Sequence, residues 1–355
     1  MGAGADRVIF WLLNARAQGS EAGEWSLLDF NGRTSECFDT ASDIARVLER
    51  HASFFGRARP IKSSVTIILS LETLTLQERF ASGDAPARGR DAHVLEALGL
   101  YQALAELGVP ARLKQIDDFD WRDSSQPPRL VILPHVTALT AAQARDVEAF
   151  VRGGNTLLVT GLTGFYDEEA RFLPSERWPL SSLLGARPKE VHTPNDRAEV
   201  AWSRPALTLP SQMWLGEIEN DSAEVAARWD GRVTAVRKRV GSGEAVWIPS
   251  LIGMGAWLGD GAPLAGLLAE LNAPFTRDLP FGFDGRQAGC LMRVLQNGNS
   301  YVTVVTNGTA EPQQCRLRRP PALTPQLLWG DPSTLAPNNP IVSLGARQTA
   351  VHLWK

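Results

Sequence analysis

The 355-residue chain lacks an excess of either charge: 36 Lys and Arg residues stand against 39 Asp and Glu residues, a net charge of −3. Nucleic acids and anionic membranes select strongly basic faces, so neither partner is indicated. No apolar run approaches the roughly 20 residues that span a bilayer. The short apolar patch at residues 8–13 lacks the basic leader and cleavage site of a secretion signal. We therefore expect a cytoplasmic protein that binds neither nucleic acid nor membrane.

Cysteine is scarce as well. Cys37, Cys290 and Cys315 are odd in number, widely spaced and form no CxxC motif, so neither a disulfide framework nor a zinc site is predicted. The five histidines show no HxH or HExxH spacing, and we expect no metal. GxSxG and GxxxxGK[ST] are both missing, and no organic cofactor is expected.

What the sequence does contain is a strand–helix–strand unit over residues 129–164. Residues 130–133 and 156–159 are short apolar runs followed by turn residues, a pattern typical of strands buried on both faces of a parallel sheet. Between them Thr140 is a candidate N-cap, and two glycines stop the helix. These signals predict a βαβ unit.

The middle of the chain repeats this alternation. Four strands are predicted there, at residues 65–70, 112–116, 130–133 and 156–159. A helix is predicted over residues 90–107, the polar stretch 72–88 is predicted as a loop, and β-rich segments over 199–248 are expected to complete the domain. The alternation predicts an α/β fold with a flavodoxin-like, doubly wound parallel sheet.

The two ends of the chain depart from this pattern. A buried strand is predicted at residues 7–13 and a helix at residues 40–55. One strand and one helix are too few to form a hydrophobic core of their own. From residue 289 onward, four β-rich segments separated by Asn-Gly turns predict a small antiparallel β domain. Three divisions are therefore predicted, over residues 1–60, 61–276 and 285–355.

Two candidate positions lie at predicted strand ends. The turn at residues 160–164 occupies the place where doubly wound folds carry a nucleophile, but its apex is Leu162, which has no reactive group. Thr163 has no nearby base, and we interpret the turn as structural. His135 follows a strand end, where open sheets bind ligands. It is either a hydrogen-bonded loop histidine, the favoured interpretation, or a catalytic residue.

An acidic loop near the N-terminus carries the most suggestive chemistry. Glu21 and Glu24 lie beside Trp25, after the predicted first strand. Paired carboxylates act as acid and nucleophile in glycoside cleavage, and an amphipathic indole suits a sugar face. Glu21 and Glu24 are candidate catalytic residues, and Trp11, Arg16 and Trp25 are candidate substrate-binding residues. A solvated acidic loop is the alternative.

Three stretches, in order along the chain, resemble glycoside hydrolase family 42, the β-galactosidases. Residues 8–36, VIFWLLNARAQGSEAGEWSLLDFNGRTSE, resemble the end of that family's catalytic (β/α)8 barrel. Residues 64–276 resemble its middle domain, a class I glutamine amidotransferase-like module that mediates trimer assembly, and the likeness rests on residues 130–168. Residues 289–355 resemble its C-terminal β domain.

The resemblance implies a β-galactosidase-related glycoside hydrolase that acts on terminal β-galactosides, with α-arabinopyranosides as a second candidate substrate, and that forms a homotrimer. It places the family's acid/base and nucleophile glutamates on barrel strands ahead of the first residue here, so neither is carried over. Glu21 matches a glutamate that contacts galactose, and Glu24 stands where a histidine is common. The chain is therefore either a truncated or minimal hydrolase or a non-catalytic oligomerisation or sugar-binding module.

Overall fold

A computed structural model describes residues 5, 7–10, 12–16, 18–19, 26–80, 91–123, 129–193, 198–331, 335 and 340–355. The chain divides into two compact units. The sheet unit comprises residues 63–279 and 285–288, and the terminal unit comprises residues 1–62, 280–284 and 289–355. No helix within these described ranges is long and apolar enough to cross a membrane. The predicted three-part division stays a prediction.

The described residues form eight α-helices and nineteen strands. The helices are α1 Glu36–Arg50, α2 Ala52–Phe55, α3 Leu71–Phe80, α4 Ala92–Glu106, α5 Ala141–Arg152, α6 Ser181–Leu184, α7 Ile252–Trp257 and α8 Ala262–Thr276. The strands are β1 Arg59–Pro60, β2 Val65–Leu69, β3 Ala111–Gln115, β4 Leu130–Pro134, β5 Thr156–Thr160, β6 Ala186–His192, β7 Ala198–Trp202, β8 Leu207–Ser211, β9 Leu215–Asn220, β10 Glu224–Trp229, β11 Arg232–Val240, β12 Gly243–Ile248, β13 Gly282–Phe283, β14 Cys290–Asn297, β15 Ser300–Asn307, β16 Gln313–Arg318, β17 Pro325–Trp329, β18 Ile341–Leu344 and β19 Thr349–Trp354.

The sheet unit is built on a nine-stranded sheet with the order β3-β2-β4-β5-β12-β11-β10-β7-β8. The first five strands run parallel, and the last four continue the sheet with antiparallel pairing. The α/β class is confirmed. The predicted parallel strands are present as the first five strands of the sheet, and the β-rich segments that were expected to complete the domain extend it with antiparallel pairing. Two-residue turns join β10 to β11 and β11 to β12, and connections that short require antiparallel neighbours.

Helices cover both faces of this sheet. Successive strand residues point to opposite faces, so Ile67 packs in one core with α4, α7 and α8, while Ile68 packs in the other with α5 and α6. Leu158 and its neighbour Val159 divide between the two cores in the same way. Burial on both sides explains why these strands read as continuous apolar runs.

Two helices of the sheet unit show what the sequence pattern captured and what it missed. The predicted N-cap of α5 is confirmed, since Thr140 Oγ1 accepts the Gln143 amide hydrogen and Gln143 reciprocates in a capping box. The loop predicted over 72–88 is wrong at residues 72–80, which lie in α3. Thr73, Leu76 and Gln77 form a buried stripe there, and Ser70 Oγ accepts the Thr73 amide hydrogen at the helix start.

The terminal unit contains a five-stranded antiparallel sheet, β1-β14-β15-β19-β17, and a three-stranded sheet, β13-β16-β18. The predicted C-terminal antiparallel strands are present, and Gly298, with φ of 58°, forms the β14–β15 turn. Phe54 of α2 packs with Leu295, Val302 and Leu353 of that sheet. The N-terminal helices therefore help to cover the C-terminal strands.

The N-terminal part of the terminal unit corrects two predictions. The helix predicted from residue 40 begins at Glu36, because Ser35 caps it by accepting the Phe38 amide hydrogen. The buried strand predicted at residues 7–13 is wrong for the described residues 7–10 and 12–13, which are not in a strand and expose most of their apolar side chains. An apolar run predicts that its side chains are buried by a neighbouring element, and no strand among the described residues buries these.

Candidate functional site

Four of the sequence-predicted site residues lie outside the described residues: Trp11, Glu21, Glu24 and Trp25. Arg16 is described and exposed. The structure does fix the two flanks of this acidic loop. The Leu27 amide donates to Leu12 O at 3.1 Å and the Leu28 amide donates to Leu13 O at 2.9 Å, so residues 12–13 and 27–28 lie side by side.

A cavity of about 460 Å³ lies in the sheet unit, lined by residues that follow the carboxyl ends of β2, β4 and β5. Gln77 comes from α3, His135 and Thr137 follow β4, and Tyr166 follows β5. Open α/β sheets bind ligands at this end of their strands, and small-molecule pockets span about 300–1,000 Å³. Position and size therefore make this cavity the candidate functional site of the described residues.

The turn beneath the cavity is chemically inert. The residue with left-handed backbone is Gly161, with φ of 60°, which precedes the predicted apex Leu162. A Cβ on Gly161 would lie 2.4 Å from His135 Nδ1, so this position excludes every nucleophilic side chain. Thr163 Oγ1 donates to Thr160 O at 2.8 Å and accepts the Val136 amide hydrogen at 3.0 Å. The hydroxyl therefore holds the turn, in agreement with the structural interpretation.

His135 is hydrogen-bonded and neutral. Its Nδ1 accepts the Leu162 amide hydrogen at 2.9 Å, so the proton of the neutral ring lies on Nε2. Burial, with a smaller contribution from the nearby His93, lowers the pKa of His135 to about 3. A base with so low a pKa is unprotonated at neutral pH but weak, which supports a donor role for the Nε2–H rather than general-base catalysis.

His93 is a structural histidine behind the same edge of the sheet. Its Nε2 accepts the Ser70 amide hydrogen at 3.1 Å, and its Nδ1–H donates to Pro134 O at 2.6 Å. Burial lowers its pKa to about 4 although the bond to Pro134 opposes the shift. The ring thereby ties α4 to the ends of β2 and β4.

A second cluster brings together a possible metal-ligand set that sequence spacing did not reveal. Ligand atoms of Glu190, His192 and Glu217 lie within 4.8 Å of one another. Lys189 Nζ contacts Glu217 Oε1 at 2.6 Å, and Arg232 Nε lies 3.5 Å from Oε2. Hydrogen bonds from Lys189 and His192 lower the pKa of Glu217. Because side-chain cations already occupy this carboxylate, a metal ion would have to displace them.

Sequence reasoning missed most of the cavity. Its lining comes from α3, which had been predicted as a loop, from β6, and from Trp214 after β8. The buried stripe of α3 at spacings of three and four residues is a signal that could have identified that helix. No local signal indicates that residues near 77, 135 and 214 meet.

Comparisons with known proteins match this fold. The family of the β-galactosidase trimerisation domain matches residues 73–260, more than half of the chain, and the chain belongs to this domain family of the glycoside hydrolase family 42 β-galactosidases. Among curated proteins, β-galactosidase BbgII of Bifidobacterium bifidum is 25% identical over 70% of this chain and 39% of its own length. β-Galactosidase BglY of Alicyclobacillus acidocaldarius is 25% identical over 79% of this chain and 41% of its own.

Solved structures share the fold. The β-galactosidase from Bacillus circulans sp. alkalophilus superposes with a TM-score of 0.80 at 19% identity, over 100% of this chain and 50% of that one. Gan42B, a GH42 β-galactosidase from G. stearothermophilus, superposes with a TM-score of 0.79 at 18% identity, over 99% of this chain and 49% of that one. The chain thus spans about two-fifths of the curated relatives above and about half of these solved structures.

Proposed function

We propose that this chain forms the assembly part of a family 42 β-galactosidase and associates as a homotrimer. The observation that carries the proposal is the trimerisation-domain match over residues 73–260, all of which lie in the sheet unit. Assembly requires defined surfaces and does not require a reactive group, so the inert turn at Gly161, with Leu162 next to it, is compatible with that role.

We also infer the flavodoxin-like, class I glutamine amidotransferase-like description of the sheet unit. Numbered along the chain, its five parallel strands β2, β3, β4, β5 and β12 have the spatial order 2-1-3-4-5, which is the flavodoxin-like order. Helices on both faces support the same description. A module of this kind without a nucleophile at its strand-end turn suits assembly rather than amide chemistry.

The mass of the protein in solution tests the assembly proposal. Light scattering during size-exclusion chromatography should give a mass about three times the 38.7 kDa of one chain, and the value should persist on dilution. Far-UV circular dichroism of the same fraction checks that the protein is folded. A folded monomer at micromolar concentration contradicts the proposal.

As a second function we propose hydrolysis of terminal β-galactosides, because the curated relatives named above are β-galactosidases. Glu21 and Glu24 remain the first candidates for the two carboxyl groups, with Trp11, Arg16 and Trp25 at the sugar. A retaining mechanism requires carboxyl groups roughly 5–5.5 Å apart, and an inverting one roughly 6.5–9.5 Å.

Turnover of nitrophenyl β-galactoside and nitrophenyl α-arabinopyranoside tests this second function. Glu21→Gln and Glu24→Gln should each lower kcat by about 100-fold or more, the scale of lost acid–base catalysis. Glu36→Gln is the matched control, since Glu36 is exposed in the first turn of α1. Turnover unchanged in both loop variants removes these residues from the mechanism. A stable trimer without turnover leaves assembly as the function.

A further inference from the structure

Two of the three cysteines of the chain meet inside the terminal unit, although they are widely spaced in the sequence. Cys290 begins β14 of the five-stranded sheet, and Cys315 lies within β16 of the three-stranded sheet. A hydrogen bond joins their two thiols, and the residues are only 2% and 0% exposed. The thiol contact therefore runs between two separate sheets in the interior of the unit.

Hydrogen bonds that do not involve the thiols hold the two cysteines in this arrangement. Asn307 pairs directly with Cys290 across β14 and β15, and its Nδ2 donates to Gly345 O at 2.8 Å. Gly345 follows β18, in which Val342 pairs with Cys315. The start of β14 is thus fixed to the three-stranded sheet, so the packing of the sheets brings the two cysteine backbones together.

Two thiols in contact allow chemistry that packing alone does not require. A buried free cysteine behaves as a small apolar residue, and that role needs no second thiol beside it. The chain has only three cysteines among 355 residues, so a chance meeting of two of them on different sheets is rare. Rotation of the two side chains toward each other would bring the sulfur atoms to the disulfide bond length of about 2.05 Å.

Burial determines when such a bond can form. The hydrogen bond with Cys290, together with burial, raises the pKa of the Cys315 thiol, and the thiolate is the reactive form of cysteine. A dissolved oxidant also has almost no surface of either residue to approach. The packed thiols are therefore protected, and oxidation requires that the strands of the terminal unit are still separated, as they are during folding.

We propose that Cys290 and Cys315 are a site of disulfide formation, which ties the two sheets of the terminal unit together when the chain folds in the presence of a small disulfide such as oxidised glutathione. One protein thiolate attacks a sulfur of the oxidant and releases a glutathione thiolate, which takes up a proton. The second protein thiolate attacks the protein sulfur of this mixed disulfide and releases the second glutathione. Two protein thiols are oxidised, and one glutathione disulfide is reduced to two thiols.

Refolding of the full chain in glutathione buffers tests the proposal. The Cys37→Ser variant is used, because the exposed Cys37 would otherwise form mixed and intermolecular disulfides. Samples that start reduced and samples that start oxidised are brought to equilibrium at one fixed ratio of reduced to oxidised glutathione, with and without urea. After acid quenching, mass spectrometry of the unreduced digest measures the fraction of chains in which the Cys290 and Cys315 peptides are linked.

The ratio of disulfide to dithiol should be about 30- to 1,000-fold higher in the folded protein than in urea, the factor that corresponds to the usual stabilisation by a native disulfide. Cys37→Ser combined with Cys315→Ser is the matched control, and its intact mass should show no loss of two hydrogens. A ratio in the folded protein that is equal to or lower than the ratio in urea overturns the proposal, because the folded contact would then oppose the bond.

The disulfide does not depend on assembly or on the acidic loop. The mass of each refolded sample in solution separates the two proposals. A trimer whose two thiols stay reduced refutes only the disulfide, and a folded monomer that carries the bond refutes only assembly.

Discussion

Replacement of Gly99 by alanine tests the packing of α4 on α7. A Cβ at Gly99 would lie 1.9 Å from Gly253 O and 2.5 Å from Gly253 C, both backbone atoms. Ordinary C···O contacts are about 3.3–3.6 Å long, so the two helices would have to separate by more than about 1 Å. No side-chain rotation relieves a contact with backbone.

The expected magnitude follows from two opposing effects. Alanine in a helix interior gains about 1 kcal/mol over glycine, whereas overpacking costs about 1–3 kcal/mol and sometimes more. Because this contact is so short, we expect a net loss of about 2 kcal/mol in the free energy of unfolding. For a unit of this size that loss lowers Tm by about 4–8 °C.

Gly266→Ala in α8 is the matched control. Its new Cβ would lie 3.2 Å from the terminal Cδ2 of Leu207, a side-chain atom that can move aside. We expect no loss there and a gain of up to about 1 kcal/mol from helix propensity. Urea unfolding followed by circular dichroism gives the midpoint of the transition for each variant. A shift of the midpoint at an unchanged m-value reports a change in the free energy of unfolding. If Gly99→Ala is as stable as Gly266→Ala, the tight crossing of α4 and α7 is refuted.

Glu96→Gln should remove a pH dependence of stability. Burial raises the pKa of the Glu96 carboxyl from 4.5 to about 7, so the unfolded chain releases its proton at lower pH than the folded protein does. Between those pH values the free energy of unfolding of the wild type should fall by about 3 kcal/mol relative to the variant, as measured by urea unfolding. A difference between the two proteins that does not change with pH contradicts this. Gly161→Ala should destabilise the fold by at least about 1–2 kcal/mol, because φ is 60° and the new Cβ meets His135, and an unchanged Tm contradicts this. Ellman's reagent should titrate the exposed Cys37 alone in the folded protein and all three thiols in urea, and a second fast thiol in the folded state contradicts the burial of the others.

Local patterns in the sequence were sufficient for much of the fold. The apolar runs of β4 and β5, the N-cap at Thr140 and the turn at Gly298 were all predicted from neighbouring residues. These features depend on side-chain periodicity and on backbone geometry within a few residues. The lack of a nucleophile in the turn after β5 was also visible in the sequence, although the left-handed residue of that turn is Gly161, next to the predicted apex Leu162.

Prediction was poorer where a segment's state depends on distant contacts. The polar stretch after β2 folds as α3 because Thr73, Leu76 and Gln77 find a surface to cover, and that surface lies elsewhere in the chain. Residues 7–10 show the converse, since their apolar side chains are exposed although an apolar run predicts burial. The candidate catalytic pair Glu21 and Glu24 and the cytoplasmic location stay predictions.

The sequence by itself determined the α/β class, the alternation of strands and helices, and the inert strand-end turn, because each follows from the chemistry of residues close together in the chain. Only the tertiary structure decided that four antiparallel strands extend the parallel ones. Only the tertiary structure brought Gln77, His135, Phe172 and Trp214 around one cavity. Strand partners and cavity walls are set by long-range packing, and periodicity shows which face of an element is covered but not what covers it.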